Sequence, residues 1–266
     1  MMFRRKRPPR IPGLSINRLI PNILTLLALC AGLTSIRFAV HDMWKEAVVA
    51  TVLAAVLDGL DGRVARLLQG TSKFGAELDS LSDFVSFGVA PAMVLYFWTM
   101  KSAGGFGWAL VLLFSVCCAL RLARFNTMIG EPDLPPYAYN FFTGVPAPAA
   151  AGLTLMPMVL TIQFGEGFFD RPAVVALFLL GVSFLMVSRL PTYSFKKVRI
   201  PHPWVLPILL VVGVVAAFMV TEPWLTLSAV GCAYIASIPA AARSFRRLKA
   251  QAEQTVAIGD TAAPPS

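Results

Sequence analysis

Long apolar runs alternate with short polar connections along almost the whole chain. A helix needs about 20 predominantly apolar residues to span the hydrocarbon core of a membrane. Runs of about this length recur at 20–40, 47–68, 76–100, 106–124, 141–162, 172–188, 204–220 and 224–241. The pattern predicts an all-α fold, a polytopic membrane helical bundle with about eight transmembrane helices. A basic arm (1–18) would precede the transmembrane domain (19–241), and a tail that is first basic and then disordered (242–266) would follow it.

Composition supports a membrane protein. Of the 266 residues, 57% are hydrophobic and only 14% are charged, which is less charge than a water-soluble domain carries. With the amino terminus inside, the outer connections would hold only Arg37, Lys45, Lys101 and Arg171 of the 23 lysines and arginines. This bias follows the positive-inside rule and places both termini in the cytoplasm. The net charge of +9 therefore predicts contact with membrane lipids and no binding of nucleic acid.

Four aspartates interrupt this apolar pattern. Asp58 and Asp61 are three residues apart, and Asp79 and Asp83 are four apart, so each pair shares one face of a helix. The stretch between the pairs is polar and contains glycine, so the chain can turn there and bring the pairs together. Four such charges in a poorly solvated place require cations, and carboxylate oxygens suit hard divalent ions. The pattern predicts a metal-dependent reaction centre at the cytoplasmic surface of the membrane.

The wider pattern around these aspartates resembles the signature of the CDP-alcohol phosphotransferase family. Its fixed positions here are Asp58, Asp61, Gly62, Ala65, Arg66, Gly75, Asp79 and Asp83. The resemblance implies a core of six membrane helices, here with two more, and a homodimer. It also implies an integral protein of the bacterial inner (cytoplasmic) membrane whose active site faces the cytoplasm.

The resemblance assigns roles to individual residues. Two divalent cations, Mg²⁺ or Mn²⁺, would be held by Asp58, Asp61, Asp79 and Asp83 and would bridge the pyrophosphate of a CDP-lipid. Asp83 would also be the catalytic base that takes the proton of the acceptor hydroxyl. The residues expected to bind the CDP and phosphate groups are Asn22, Thr25, Gly59, Gly62, Arg66 and Gly75.

Longer runs at 79–92, 121–126, 142–148 and 191–196 resemble the branch of this family that uses L-serine. The implied reaction joins the phosphatidyl group of CDP-diacylglycerol to serine and releases CMP. A serine site needs a cation for the carboxylate and polar groups for the ammonium. The candidate residues are Arg121, Arg124, Asn126, Arg189 and Lys196, and one of the three arginines is expected to bind the carboxylate.

Two alternatives remain open from the sequence. The same chemistry could use another acceptor, glycerol 3-phosphate or inositol phosphate, although a phosphorylated acceptor requires a denser cationic cluster. The aspartates could instead serve a divalent-cation transporter, because intramembrane carboxylates also line ion pathways. A transporter would leave the positions of Arg66 and Gly75 without a reason.

Overall fold

The protein is helical almost throughout the part that the structure describes. The computed structural model describes residues 16–68, 70, 72–128, 141–193 and 202–261. The helices are α1 (Ile16–Val40), α2 (Trp44–Leu67), α3 (Lys73–Asp83), α4 (Ala90–Trp98), α5 (Gly104–Met128), α6 (Ala147–Thr154), α7 (Met156–Phe164), α8 (Pro172–Val187), α9 (His202–Thr221) and α10 (Pro223–Thr261). Prolines occupy the first turn of α4, α6, α7 and α8. In α6 and α8, which begin after extended residues, the missing N–H breaks no helical hydrogen bond.

Within the described residues, five helical segments are long and apolar enough to cross a membrane. They are Leu19–Val40, Lys73–Trp98, Met100–Thr127, Pro203–Thr221 and Pro223–Leu248. A sixth arises when α6 and α7, which meet at an angle of 40°, are taken as one broken span. These segments confirm the predicted class of a helical membrane bundle. The other two predicted spans are also helical: α2 carries several charged residues near its end, and α8 is apolar but only 16 residues long.

The helices that carry the aspartates lie against α1. This first helix packs along α2 and along the segment Lys73–Trp98, which contains α3 and α4. Helix α5 packs against α8. The close approach between α1 and the segment Lys73–Trp98 depends on Gly32, because a Cβ there would lie 2.6 Å from Ser86 Oγ. Large apolar side chains such as Phe87, Phe114 and Leu95 fill the interior of the bundle. The carboxylate-bearing segments are thereby fixed against a common scaffold.

The segment Lys73–Trp98 contains a π-helical stretch, Phe84–Val89, between α3 and α4. A π-turn holds one extra residue and disturbs the regular ladder of backbone hydrogen bonds. Ser115 of α5 donates a hydrogen bond to the carbonyl oxygen of Gly88 (3.1 Å), and Cys118 packs against Gly88, where a Cβ would lie 2.9 Å from the cysteine Sγ. Contacts from α5 therefore support the irregular turn that directly follows Asp83.

A two-stranded antiparallel sheet joins two connections at the end of the bundle. Strand β1 (Phe141–Thr143) pairs with β2 (Pro191–Tyr193). The prediction of a helix from residue 141 is therefore wrong at its start, and the all-α class gains one short sheet. The helix begins only at Ala147 because Gly144 has a φ of +76°, a conformation that ends regular structure and that favours glycine.

The carboxyl-terminal segment is more helical than the sequence pattern predicts. α10 continues to Thr261, so the helix extends through most of the segment predicted to be disordered. Its residues after 241 are mainly Ala, Arg, Leu, Lys, Glu and Gln, which have strong intrinsic helix propensity. α9 packs against α10, and its apolar side chains are exposed to the surroundings. The predicted basic arm falls almost wholly outside the described residues.

Candidate active site

Three of the predicted carboxylates converge. Asp58 and Asp61 come from α2 and Asp79 comes from α3, and one oxygen of each lies within 4.8 Å of the others. The helical spacing in the sequence predicts this arrangement because residues three or four apart share a face. Among the described residues, no lysine or arginine side chain balances these three charges. Uncompensated, partly buried carboxylate oxygens are the ligands that a hard divalent cation prefers, so the residues fit the implied metal.

Asp83 lies at the edge of this cluster. It is the last residue of α3, one helical turn beyond Asp79, and its carboxyl group is within hydrogen-bond reach of Asp58. It does not belong to the three mutually close oxygens. The positive charge of Arg121 on α5 also acts on Asp83. Asp83 is thus an electrostatic neighbour of both the predicted metal ligands and a cationic side chain.

α1 holds the cluster in place through Thr25. The Thr25 hydroxyl lies 2.6 Å from Asp61 Oδ2 and 3.1 Å from the carbonyl oxygen of Pro21, and it can donate to either. Both Thr25 and Asp61 are buried. Ser82 ties α3 to the same place because its hydroxyl donates to the carbonyl oxygen of Thr25 (3.1 Å). The sequence predicts that Thr25 contacts CDP, and the structure also brings it to a predicted metal ligand.

A cavity of ≈ 190 Å³ opens beside the carboxylates. Asp61 and Asp79 line it, together with most of the residues predicted to bind CDP and phosphate, namely Asn22, Thr25, Gly62, Arg66 and Gly75. Gly59 does not line this cavity; it is exposed, and a Cβ built there has no neighbour within 4 Å. The cavity therefore offers an arginine, an amide and close backbone approach next to the carboxylates, which are features suited to a phosphate-bearing ligand.

Replacing Gly75 by alanine is expected to raise the KM for the CDP-lipid that the family resemblance implies as substrate about tenfold, with little change in folding. The added Cβ would lie 2.9 Å from Asn22 Oδ1 and 3.2 Å from Ser72 Oγ. The Asn22 side chain can swing away, so the helix survives, but the amide then leaves the cavity, and a hydrogen bond to a charged group contributes about 1.5–3 kcal/mol. Gly181→Ala is the control, since a Cβ at Gly181 meets nothing within 4 Å. Unchanged KM in steady-state kinetics would contradict this role.

Of the five residues predicted to bind serine, the structure places Arg121 next to Asp83. Its Nε atom is buried and has no hydrogen-bond partner among the described residues. Arg124 instead donates to the carbonyl oxygen of Val187 (3.2 Å). The remaining three are less informative. Asn126 donates to Ser80 Oγ (3.0 Å), Arg189 is exposed, and Lys196 lies outside the described residues.

Sequence reasoning missed several residues around the site. Ser82 and Ser86 donate hydrogen bonds to backbone carbonyls of α1. Their spacing of four residues within an apolar run was an available signal, because it places both hydroxyls on one helical face. Tyr234 lies near both Arg121 and Thr192. Thr192 falls within the run 191–196, but no local pattern marks Tyr234, which comes from α10, far along the chain.

Comparison with known proteins agrees with this geometry. The CDP-alcohol phosphatidyltransferase family model matches residues 18–188, and a second model, CDP-alcohol phosphatidyltransferase 2, matches residues 203–239. A CDP-diacylglycerol–serine O-phosphatidyltransferase of Mycobacterium tuberculosis is 43% identical over 231 residues, which cover 87% of this chain and 80% of the relative.

Two further relatives carry the same name. The protein from Mycobacterium leprae is 41% identical over 252 residues, covering 95% of this chain and 83% of the relative. The Helicobacter pylori protein is 39% identical over 212 residues, covering 79% of this chain and 85% of the relative. The first family model covers more than half of the sequence and contains all four aspartates. This chain belongs to the CDP-alcohol phosphatidyltransferase family.

Proposed function

We propose that this protein transfers the phosphatidyl group of CDP-diacylglycerol to the hydroxyl of L-serine, giving phosphatidylserine and CMP. The observation that carries the proposal is the convergence of Asp58, Asp61 and Asp79 beside Asp83. The name shared by the relatives supports serine as the acceptor. The lipid substrate and the protein both belong in a membrane, which the apolar helices and the family also indicate.

Asp83 is the proposed general base. Its carboxylate takes the proton of the serine hydroxyl while that oxygen forms a bond to the phosphorus that carries diacylglycerol. The bond from this phosphorus to the oxygen bridging it to the CMP phosphate breaks, and CMP departs with the electron pair. A serine hydroxyl is a weak nucleophile, so a base within hydrogen-bond reach is needed. The position of Asp83 near the other carboxylates and Arg121 suits this role.

The proposed cofactors are two divalent cations, Mg²⁺ or Mn²⁺. Asp58, Asp61 and Asp79 would hold them, with Asp83 as a further ligand. When bound, the cations neutralise the pyrophosphate and stabilise negative charge on the departing CMP. Thr25 would fix the orientation of Asp61 through its short hydrogen bond, as partners of metal ligands commonly do.

Arg121 is the proposed partner of the serine carboxylate. Its buried Nε lacks a partner among the described residues, and a buried unpaired donor costs about 1–3 kcal/mol. A carboxylate ligand would remove this cost through a charge-assisted hydrogen bond. Arg124 is already engaged with the backbone of α8, so it is the weaker candidate of the two.

Replacing Arg121 by glutamine is expected to raise the KM for serine about tenfold to a hundredfold, because a hydrogen bond to a charged group contributes about 1.5–3 kcal/mol. The KM for CDP-diacylglycerol should change little. Steady-state CMP release with each substrate varied in turn provides the measurement. Arg243→Gln serves as the control, because Arg243 is exposed on α10 and is far in sequence from the aspartates. An equal rise in both KM values would remove Arg121 from the serine site.

We further propose eight spans, with both termini and the active site on the cytoplasmic side of a bacterial inner membrane. The distribution of lysine and arginine supports this orientation. CDP-diacylglycerol would enter from the inner leaflet and serine from the cytoplasm. A homodimer is proposed on the family resemblance alone.

The function is tested by measuring CMP release from CDP-diacylglycerol by the purified full-length protein with Mg²⁺ or Mn²⁺. Serine, glycerol 3-phosphate, inositol phosphate and no acceptor are compared. Serine-dependent release, with phosphatidylserine as product, is expected. Release with another acceptor alone would keep the chemistry and overturn the acceptor. Absence of release with every acceptor from folded protein, together with divalent-cation flux in proteoliposomes, would favour a transporter.

A further inference from the structure

Tyr234 lies on α10, outside the 18–188 region matched by the first family model. Its hydroxyl is buried and makes no hydrogen bond with the described residues. Arg121 is an electrostatic neighbour of this hydroxyl and also of Asp83. Helix α10, whose first part falls in the range 203–239 matched by the second family model, therefore brings a polar group near Arg121, which neighbours the candidate base.

Thr192 of β2 shapes the surroundings of this hydroxyl. It is 2% exposed, and its own hydroxyl donates to the carbonyl oxygen of Gly144 (2.9 Å). Because the Thr192 proton is engaged there, Thr192 could pair with Tyr234 only as an acceptor. The Tyr234 hydroxyl lies near Thr192 but outside hydrogen-bond geometry, so it has no partner among the described residues.

Two side chains that are electrostatic neighbours therefore carry buried donors without partners among the described residues, Arg121 Nε and Tyr234 Oη. Buried polar groups of native proteins are nearly always hydrogen-bonded, so each exception requires a reason. Both atoms are donors, and Arg121 is also an electrostatic neighbour of Asp83, the candidate base. A bound carboxylate, with four lone-pair sites on two oxygens, can accept hydrogen bonds from both.

The ring of Tyr234 has a separate role. It lines an apolar cavity of ≈ 330 Å³, together with side chains that include Phe87, Met156 and Leu227. Tyr234 therefore packs among apolar side chains, and its hydroxyl is a buried polar atom. Removing the oxygen alone should leave this packing intact, because phenylalanine retains the ring.

We propose that the Tyr234 hydroxyl donates a hydrogen bond to the carboxylate of the acceptor serine, beside Arg121. The inference rests on the proposed function and deepens it by assigning acceptor recognition to α10, outside the region that contains the aspartates. The same pair of donors would disfavour an acceptor without a carboxylate, since both buried donors would stay unpaired.

The test compares wild type with Tyr234→Phe in CMP release from CDP-diacylglycerol. Serine and serinamide, which lacks the negative charge, are each used as acceptor. The variant is expected to show a KM for serine raised about tenfold, as for loss of one hydrogen bond to a charged group. The KM for CDP-diacylglycerol should stay within about twofold of the wild-type value. The ratio of kcat/KM for serine to kcat/KM for serinamide should fall about tenfold, in line with the rise in the KM for serine. Tyr96→Phe is the control, because Tyr96 lies on α4 and packs against Phe97 of the same helix and Trp108 of α5.

An unchanged KM for serine, or an unchanged preference over serinamide, would overturn the inference. So would an equal rise of both KM values, since that result would indicate a structural role for the hydroxyl. Failure of the proposed function is a different result, because wild type itself would then show no serine-dependent CMP release.

Discussion

Replacement of Asp83 by asparagine is expected to lower turnover by about 10²- to 10⁴-fold, the usual contribution of a general base. Asparagine keeps the size and one oxygen of the side chain but cannot take the proton of the serine hydroxyl. Asp58, Asp61 and Asp79, the three mutually close carboxylates, remain to hold the cations, so at saturating Mg²⁺ or Mn²⁺ CDP-diacylglycerol should still bind with little loss even though Asp83 is a proposed further ligand. Single-turnover CMP release measures the chemical step, and equilibrium binding of the CDP-lipid measures the complex.

Glu77→Gln is the matched control for Asp83→Asn. Glu77 lies on the same helix, α3, and is exposed, so the control also removes one negative charge but away from the cluster. Its turnover should equal that of wild type. Full turnover of Asp83→Asn would remove Asp83 as the base and would require another proton acceptor near Arg121.

Removal of divalent metal is expected to abolish CMP release and to weaken binding of the CDP-lipid. Without cations, the pyrophosphate would face carboxylates whose charges no described lysine or arginine balances, and like charges at this distance repel strongly. Treatment with excess chelator, with residual metal measured by elemental analysis, followed by titration with Mg²⁺ or Mn²⁺, gives the test. Full activity of verified metal-free protein would reject the two-metal proposal.

Asp61→Asn is expected to raise the metal concentration for half-maximal activity about 10- to 100-fold. The variant loses one charged metal ligand, which is also the carboxylate that accepts the hydrogen bond of the buried Thr25 hydroxyl. Changes to groups that only hydrogen-bond to metal ligands already lower metal affinity about 10- to 100-fold. Asp42→Asn is the control, because Asp42 is exposed in the turn between α1 and α2, and asparagine tolerates its φ of 58°. Equal metal dependence in both variants would exclude Asp61 as a ligand.

The extent of helical structure was predictable because apolar composition acts locally. Runs long enough to span a membrane were visible without any knowledge of their neighbours, and each became one helix or a broken pair of helices. The start of the fifth run was mispredicted because β1 exists only through its partner β2, some 50 residues later. The π-helical segment after Asp83 was also hidden, since its support comes from Ser115 and Cys118 on α5.

The sequence by itself determined the membrane-helical class, through its apolar runs, and the family, through the resemblance of eight fixed positions to a known signature. Helical spacing also placed each pair of aspartates on one face. Only the tertiary structure decided that Asp79 meets Asp58 and Asp61 while Asp83 lies at the edge, and which other residues meet them. Thr25 reaches Asp61 across 36 positions, and Tyr234 of α10 comes near Arg121 of α5 and Thr192 of β2. Such contacts depend on how helices pack against one another, and no periodicity in a single segment encodes the partner that packing will bring to it.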